Sequence, residues 1–254
     1  AAITAYKILQ GGPAADLFKK VIKDVLAFTL IGLLGVAGAG HMHAQYLKEV
    51  QPMKLSAMEA LWETEDPAPF AAFAIINEDK MQNDFEITIP AMFSFMVYNK
   101  PAGEIKGIRD LQEEAVQMYG SDNYVPNVTA LFWAFRIMVG AGGLMILITG
   151  AALLLAMRGK LADKRCMLKV LLYSLPLPFI ANSVGWFVTE SGRQPWIVVG
   201  LQKTVDAVSP NLTTTDIWLT IIGFTLIYLV LIVFALGVAI RFIKTSPSPE
   251  RSAA

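Results

Sequence analysis

The sequence predicts an all-α membrane protein with four transmembrane helices and a long outer loop between the first and the second. Of its 254 residues, 55% are hydrophobic and only 17% charged, whereas soluble domains hold about 45–50% apolar and about 25% charged residues. Four stretches also lack any Asp, Glu, Lys or Arg: 23 residues at 25–47, 21 at 137–157, 20 at 170–189 and 24 at 217–240. Crossing a bilayer takes about 20 such residues. The basic residues, finally, gather on alternate connections. The 21 Lys and Arg cancel 21 Asp and Glu, which leaves no general electrostatic case for a nucleic-acid partner. A single cysteine, Cys166, excludes an internal disulfide and any cysteine-built zinc or iron–sulfur centre.

Taken in order, residues 1–24 form a cytoplasmic segment in which 3–10 read as the frayed end of a helix. This segment has neither the basic start nor the cleavable apolar core of a signal peptide. Residues 25–47 are the first span, and 48–127 the outer loop. So long a connection is functional or disordered, and its aromatic residues, among them Trp62, Phe70, Phe73, Phe85, Phe93, Phe95 and Tyr98, argue for order. Within it, 55–65 reads as a helix stopped by Pro67 and Pro69. The apolar stretches 68–77 and 87–99 are too short to span and fit packing on the bilayer interface or on the helix bundle. The second span covers 128–157, because Leu131, Phe132, Trp133 and Phe135 extend its apolar run and leave Arg136 alone inside it. A cytoplasmic loop, 158–169, leads to the third span, 170–190, where Pro176 and Pro178 predict a kink. An outer loop, 191–216, the fourth span, 217–240, and a cytoplasmic tail, 241–254, complete the chain; the polar residues 245–254 are expected to be disordered.

Sidedness follows from charge. The segments assigned to the cytoplasm carry 12 basic and 4 acidic residues, and the two outer loops together with Glu190 at the end of the third span 8 basic and 17 acidic. By the positive-inside bias both ends of this segment are cytoplasmic.

Several residues have the chemistry for a site. Arg136 is costly in a membrane unless it faces the protein interior or reaches the outer interface by its length. Met138 offers a thioether, a soft ligand for haem iron, although a methionine in an apolar helix is also ordinary packing. At about 100° per residue, Asn182, Trp186, Thr189 and Glu190 form one stripe on the third span, suited to the bundle interior or a cofactor. Glu190, at the outer end, suits an iron ligand, a proton relay or a solvated helix-end charge. His41 and His43 point about 200° apart on a helix and cannot share one metal. Gly140, Gly142 and Gly143 fit close helix packing, because no strand precedes them.

Three strings carry a resemblance: QPMKLSAMEALWET (Gln51 to Thr64), VPNVTALFWAFRIMVG (Val125 to Gly140) and GWFVTESGRQPW (Gly185 to Trp196). Their order and their placement relative to the spans resemble subunit I of the cytochrome bd-type quinol oxidases, in the C-terminal half that holds the quinol-binding loop and the last four helices. The resemblance implies oxidation of quinol at the outer face and reduction of oxygen to water through a low-spin haem b, a high-spin haem b and haem d. It implies Met138 as a ligand of the low-spin haem iron, Arg136 as stabilising the reduced form of that haem, and Glu190 as a ligand of the high-spin haem b iron. Trp186 would pack among the haems, Arg193 would lie close to their propionates, and Lys54 and Glu59 would act in quinol oxidation. It further implies a larger helix bundle, with the N-terminal half of subunit I on the same or a separate chain, subunit II and small subunits, in a bacterial cytoplasmic (inner) membrane. The family's histidine ligands belong to that N-terminal half and do not transfer to His41 or His43. The loop looks short for the family. Two other readings of the same residues are a transporter or channel bundle lined by Glu190, Arg136 and Asn182, and a non-catalytic structural homologue.

Overall fold

The computed structural model describes residues 1–11 and 15–245. Four helical segments are long and apolar enough to cross a membrane, at 15–50, 128–157, 165–191 and 214–244, so the chain is a multi-pass membrane protein. Each extends past its charge-free run. Helix α2 is Ala15–Val50, α6 is Val128–Met157 and α9 is Thr214–Lys244. The third is broken by the prolines rather than merely kinked. Helix α7, Arg165–Tyr173, ends where residues 174–176 turn, and α8, Leu177–Ser191, restarts with proline at its first turn. Proline lacks the N–H an unbroken helix needs, but fits a helix start. The expected disorder of 245–254 falls, from residue 246 on, outside the described residues.

Contacts divide the chain into two units. In the first, drawn from 1–29, 149–174 and the segment from 208 on, helix α1, Ala2–Gln10, packs on α7. Ala5 and Ile8 of α1 and Leu168 and Leu171 of α7 are buried. Helix α9 buries none of its residues within the described structure and starts with a capping box between Thr213 and Asp216. A helix apolar on every side belongs among lipids or other helices.

The second unit, 30–148 and 175–207, holds the long loop between the first two spans. The fold is mostly helical, as expected, but the first apolar stretch of the loop is a strand and the second begins as one. Strand β1, Phe70–Asn77, pairs antiparallel with β2, Gln82–Ile89. Ala71 and Ala74 are buried, while Phe73, Ile75, Phe85 and Ile87 lie on the open side. Pairing satisfies main-chain groups that a short apolar stretch cannot satisfy alone. Only 92–98 of the second stretch is helical, as α4, Met92–Tyr98. The helix expected at 55–65 is displaced: α3 is Pro52–Glu59, closed by a left-handed Ala60. Beyond it the chain runs beside the start of α5, Ile108–Tyr119. Glu65 and Ile105 exchange N–H···O bonds, and Ile108 and Arg109 donate to Leu61 and Trp62. A second small pair, β3 Trp196–Val198 with β4 Gln202–Lys203, follows α8. The core joins Leu55, Ala57 and Met58 of α3 to Ala71 and Ala74, to Phe93 and Val97, to Val188, and to the fully buried Val128, Leu131 and Phe132 of α6. The loop is thus seated on the first turns of α6.

Candidate functional site

Two clusters arise where the loop meets the spans, and a groove lies beside them. The first centres on Arg136, whose side chain is 11% exposed and that of its partner Glu59 only 3%. Arg136 Nη2 donates to Glu59 Oε2 at 2.6 Å. Arg136 Nε also donates to Ala71 O at 3.0 Å, and further donors reach Ala71 O and Met58 O. The guanidinium carbon sits 3.5 Å from the Phe132 ring centroid, with Phe70 and Phe135 further out. Of the two roles open to Arg136 in the sequence, the inward one holds: it clamps α3 and β1 onto α6 instead of reaching water. Buried ions persist only when paired and hydrogen-bonded. Burial pushes the Glu59 carboxyl up to about 7, against the opposing pull of Arg136.

The second cluster closes the C-terminal end of α8. Lys54 is buried and its Nζ donates to Thr189 O at 3.2 Å. Burial lowers its pKa and Arg193 lowers it further, with Glu190 opposing. Glu190 Oε1 accepts from Arg193 Nη2 at 3.2 Å, on a side more open to solvent. Lys54 and Glu59, five residues apart and about 140° apart around an ideal helix, therefore serve different clusters.

Met138 points away from the Arg136 cluster, as its two-residue offset requires. It lines a groove of about 490 Å³ with Ala181, Asn182, Gly185, Trp186 and Thr189. The stripe expected on the third span is that groove's wall, without Glu190. A Cβ on Gly185 would come within 2.9 Å of Met138 Sδ, so glycine is what admits the thioether to this face of α8. Trp186 is 66% exposed. A soft sulfur donor on a groove with an aromatic, largely apolar wall has the chemistry to hold a flat, metal-bearing cofactor.

Several participants escaped the sequence reading. Ala71 O and Met58 O are main-chain groups with no side-chain signal. Gly185 and Phe132 lie in strings that carry the resemblance, but no pattern marks either as a packing partner of Met138 or Arg136. Among the described residues no three His, Cys, Asp or Glu side chains gather as a metal site. A separate hollow of about 290 Å³, lined by Glu104, Lys106, Asp110, Glu113 and Glu114 among others, shares no residue with the groove.

The family model described as cytochrome bd terminal oxidase subunit I matches residues 1–247. The chain is 41% identical over 245 residues to cytochrome bd ubiquinol oxidase subunit 1 of Bacillus subtilis (strain 168), covering 96% of this chain and 52% of that protein. It is 29% identical over 282 residues to cytochrome bd-II ubiquinol oxidase subunit 1 of Escherichia coli (strain K12), covering 89% and 55%. That matched stretch is longer than the whole chain, so the Escherichia coli relative has positions without a counterpart here. The solved bd oxidase of Geobacillus thermodenitrificans superposes with a TM-score of 0.81 at 27% identity, over 97% of this chain and 54% of that one. The chain spans about half the length of the curated relatives it matches. With its motifs, its four spans and its fold all in agreement, the chain belongs to the cytochrome bd terminal oxidase subunit I family.

Proposed function

We propose that the chain is part of a bacterial terminal respiratory oxidase that oxidises quinol at the outer face of the cytoplasmic membrane and reduces oxygen to water. The observation that supports this reading is the buried Glu59–Arg136 pair, a carboxyl of near-neutral pKa beside the seat of the loop on α6, the chemistry a proton acceptor needs. The remaining half of subunit I, on the same or a separate chain, subunit II and small subunits complete the enzyme. Both ends of this segment face the cytoplasm, as the charge distribution favours.

Quinol oxidation releases two electrons and two protons. Glu59, held as a carboxylate by Arg136, accepts a proton from a quinol hydroxyl, and a carboxyl with a pKa near the working pH suits this task. The chemistry of the groove suits a haem: Met138 would hold the low-spin haem b iron with its thioether, with Trp186 on the same wall. Glu190 would hold the high-spin haem b iron, oriented by its bond to Arg193, whose charge suits haem propionates. The positive charge of Arg136 would favour a reduced haem held in the groove by Coulomb attraction. When bound, these b haems and haem d supply one-electron transfer and oxygen reduction.

The test separates the two half-reactions. Glu59→Ala is expected to depress quinol oxidation while oxygen reduction driven by an artificial electron donor survives. Equal loss of both places Glu59 outside quinol chemistry.

The pH profile gives a second check. Because burial raises the Glu59 pKa, the carboxylate able to take a proton grows in as pH rises through about 7. Quinol oxidation should therefore rise over that range, and activity with the artificial donor should lack this limb. A quinol-driven rate flat from about pH 6 to 8 would count against Glu59 as acceptor.

A further inference from the structure

The last turn of a helix carries four carbonyls that the helix itself cannot satisfy. At the end of α8 three of them are met by the following turn: Gly192 N–H donates to Val188 O at 3.1 Å, Arg193 N–H to Glu190 O at 3.4 Å and Gln194 N–H to Ser191 O at 3.2 Å. The fourth, Thr189 O, accepts from Lys54 Nζ, which arrives from 135 residues away in sequence. The rest of the Lys54 side chain lies on Gly192, where a Cβ would come within 2.8 Å of Lys54 Cγ and 2.9 Å of Cε. A cation at a helix C-terminus is favoured by the dipole as well as by the hydrogen bond.

We propose that Lys54 is a positioning residue, the C-cap of α8 supplied from the outer loop, and that it fixes the turn bearing Glu190 and Arg193 to helix α3. This assignment differs from the direct part in quinol oxidation that the resemblance implies, because one ammonium N–H is committed to Thr189 O and the stem is packed against Gly192. The turn that carries the iron-ligand carboxylate and the helix that carries Glu59 then share one joint. Capping itself stands on the contacts above; its consequence for a haem rests on the proposed ligation by Glu190.

Hydrogen exchange read by mass spectrometry on the assembled, detergent-solubilised complex tests the cap without reference to activity. In Lys54→Met the amides of Gly192, Arg193 and Gln194 are expected to exchange about ten-fold faster, the factor worth one charge-assisted hydrogen bond. Lys54→Arg, which keeps a cation of similar reach, should stay near the wild type. Gly192→Ala, which displaces the stem but leaves the ammonium, should also speed exchange. Unchanged exchange in Lys54→Met overturns the proposal. On the same preparations, Lys54→Met should shift the absorption of the high-spin haem b, and Lys54→Arg should not. If Glu190→Gln alters that band and Lys54→Met does not, the coupling is overturned. If Glu190→Gln leaves the band untouched, the ligand assignment fails, and the exchange rates still decide the cap.

Discussion

Met138→Leu is expected to abolish the low-spin haem b signal and to lower quinol oxidation by at least about ten-fold, since even partners one bond removed from a metal cost that much. Leucine fills nearly the volume of methionine and keeps the apolar wall of α6, so packing beside Gly185 survives. Only the sulfur is lost. Loss of signal in a complex that still assembles and keeps its high-spin haem b would thus report ligation and not folding. An unchanged spectrum and an unchanged midpoint potential would remove Met138 from the iron and leave it as packing.

Breaking the buried pair should have the largest effect on stability. Arg136→Met deletes the partner of a carboxylate that is 3% exposed and leaves Ala71 O and Met58 O without their donors. Removing one member of a buried pair costs about 3–5 kcal/mol, mostly because the other charge is left uncompensated. The expected result is a lower melting temperature of the purified complex and faster proteolysis within 52–89, since α3 and β1 lose their common anchor. Arg136→Met combined with Glu59→Gln should recover part of that loss, because the second change removes the stranded charge. A single Arg136→Met variant as stable as the wild type would show that the clamp contributes nothing. A double variant worse than the single would show that the carboxylate has another partner.

The parts of this fold legible in the sequence are those that the bilayer dictates. Spans announce themselves because a charge inside lipid is costly, and the four charge-free runs lie inside α2, α6, the α7–α8 segment and α9. The stripe on α8 was legible for a related reason: a helix has a fixed angular step, so Asn182, Trp186 and Thr189 had to share a face. The offset between Arg136 and Met138 followed from the same step.

The long loop was harder because its signals are tertiary. Phe70, Phe73, Ile75 and Ile76 do not alternate cleanly, since β1 is irregular between Ala71 and Phe73 and again between Ile75 and Ile76. Each bulge shifts the side-chain phase and erases the two-residue period that marks a strand. Residues 61–65 carry helix-forming types, yet pairing with 105–109 decides their conformation. The Arg136 clamp depends on two carbonyls and the Lys54 cap on a third, and no sequence pattern records where a main-chain oxygen will point. The resemblance singled out Lys54 and Glu59 together as a quinol pair, whereas the structure assigns them to separate clusters.

The most direct measurement is an experimental density map of the assembled complex, read for the positions of its haem irons. The account requires one iron within bonding distance of Met138 Sδ, in the groove beside Gly185 and Trp186, and another within bonding distance of the Glu190 carboxylate. Irons held wholly by other residues, with Met138 packed against protein or lipid and Glu190 bonded only to Arg193, would contradict it.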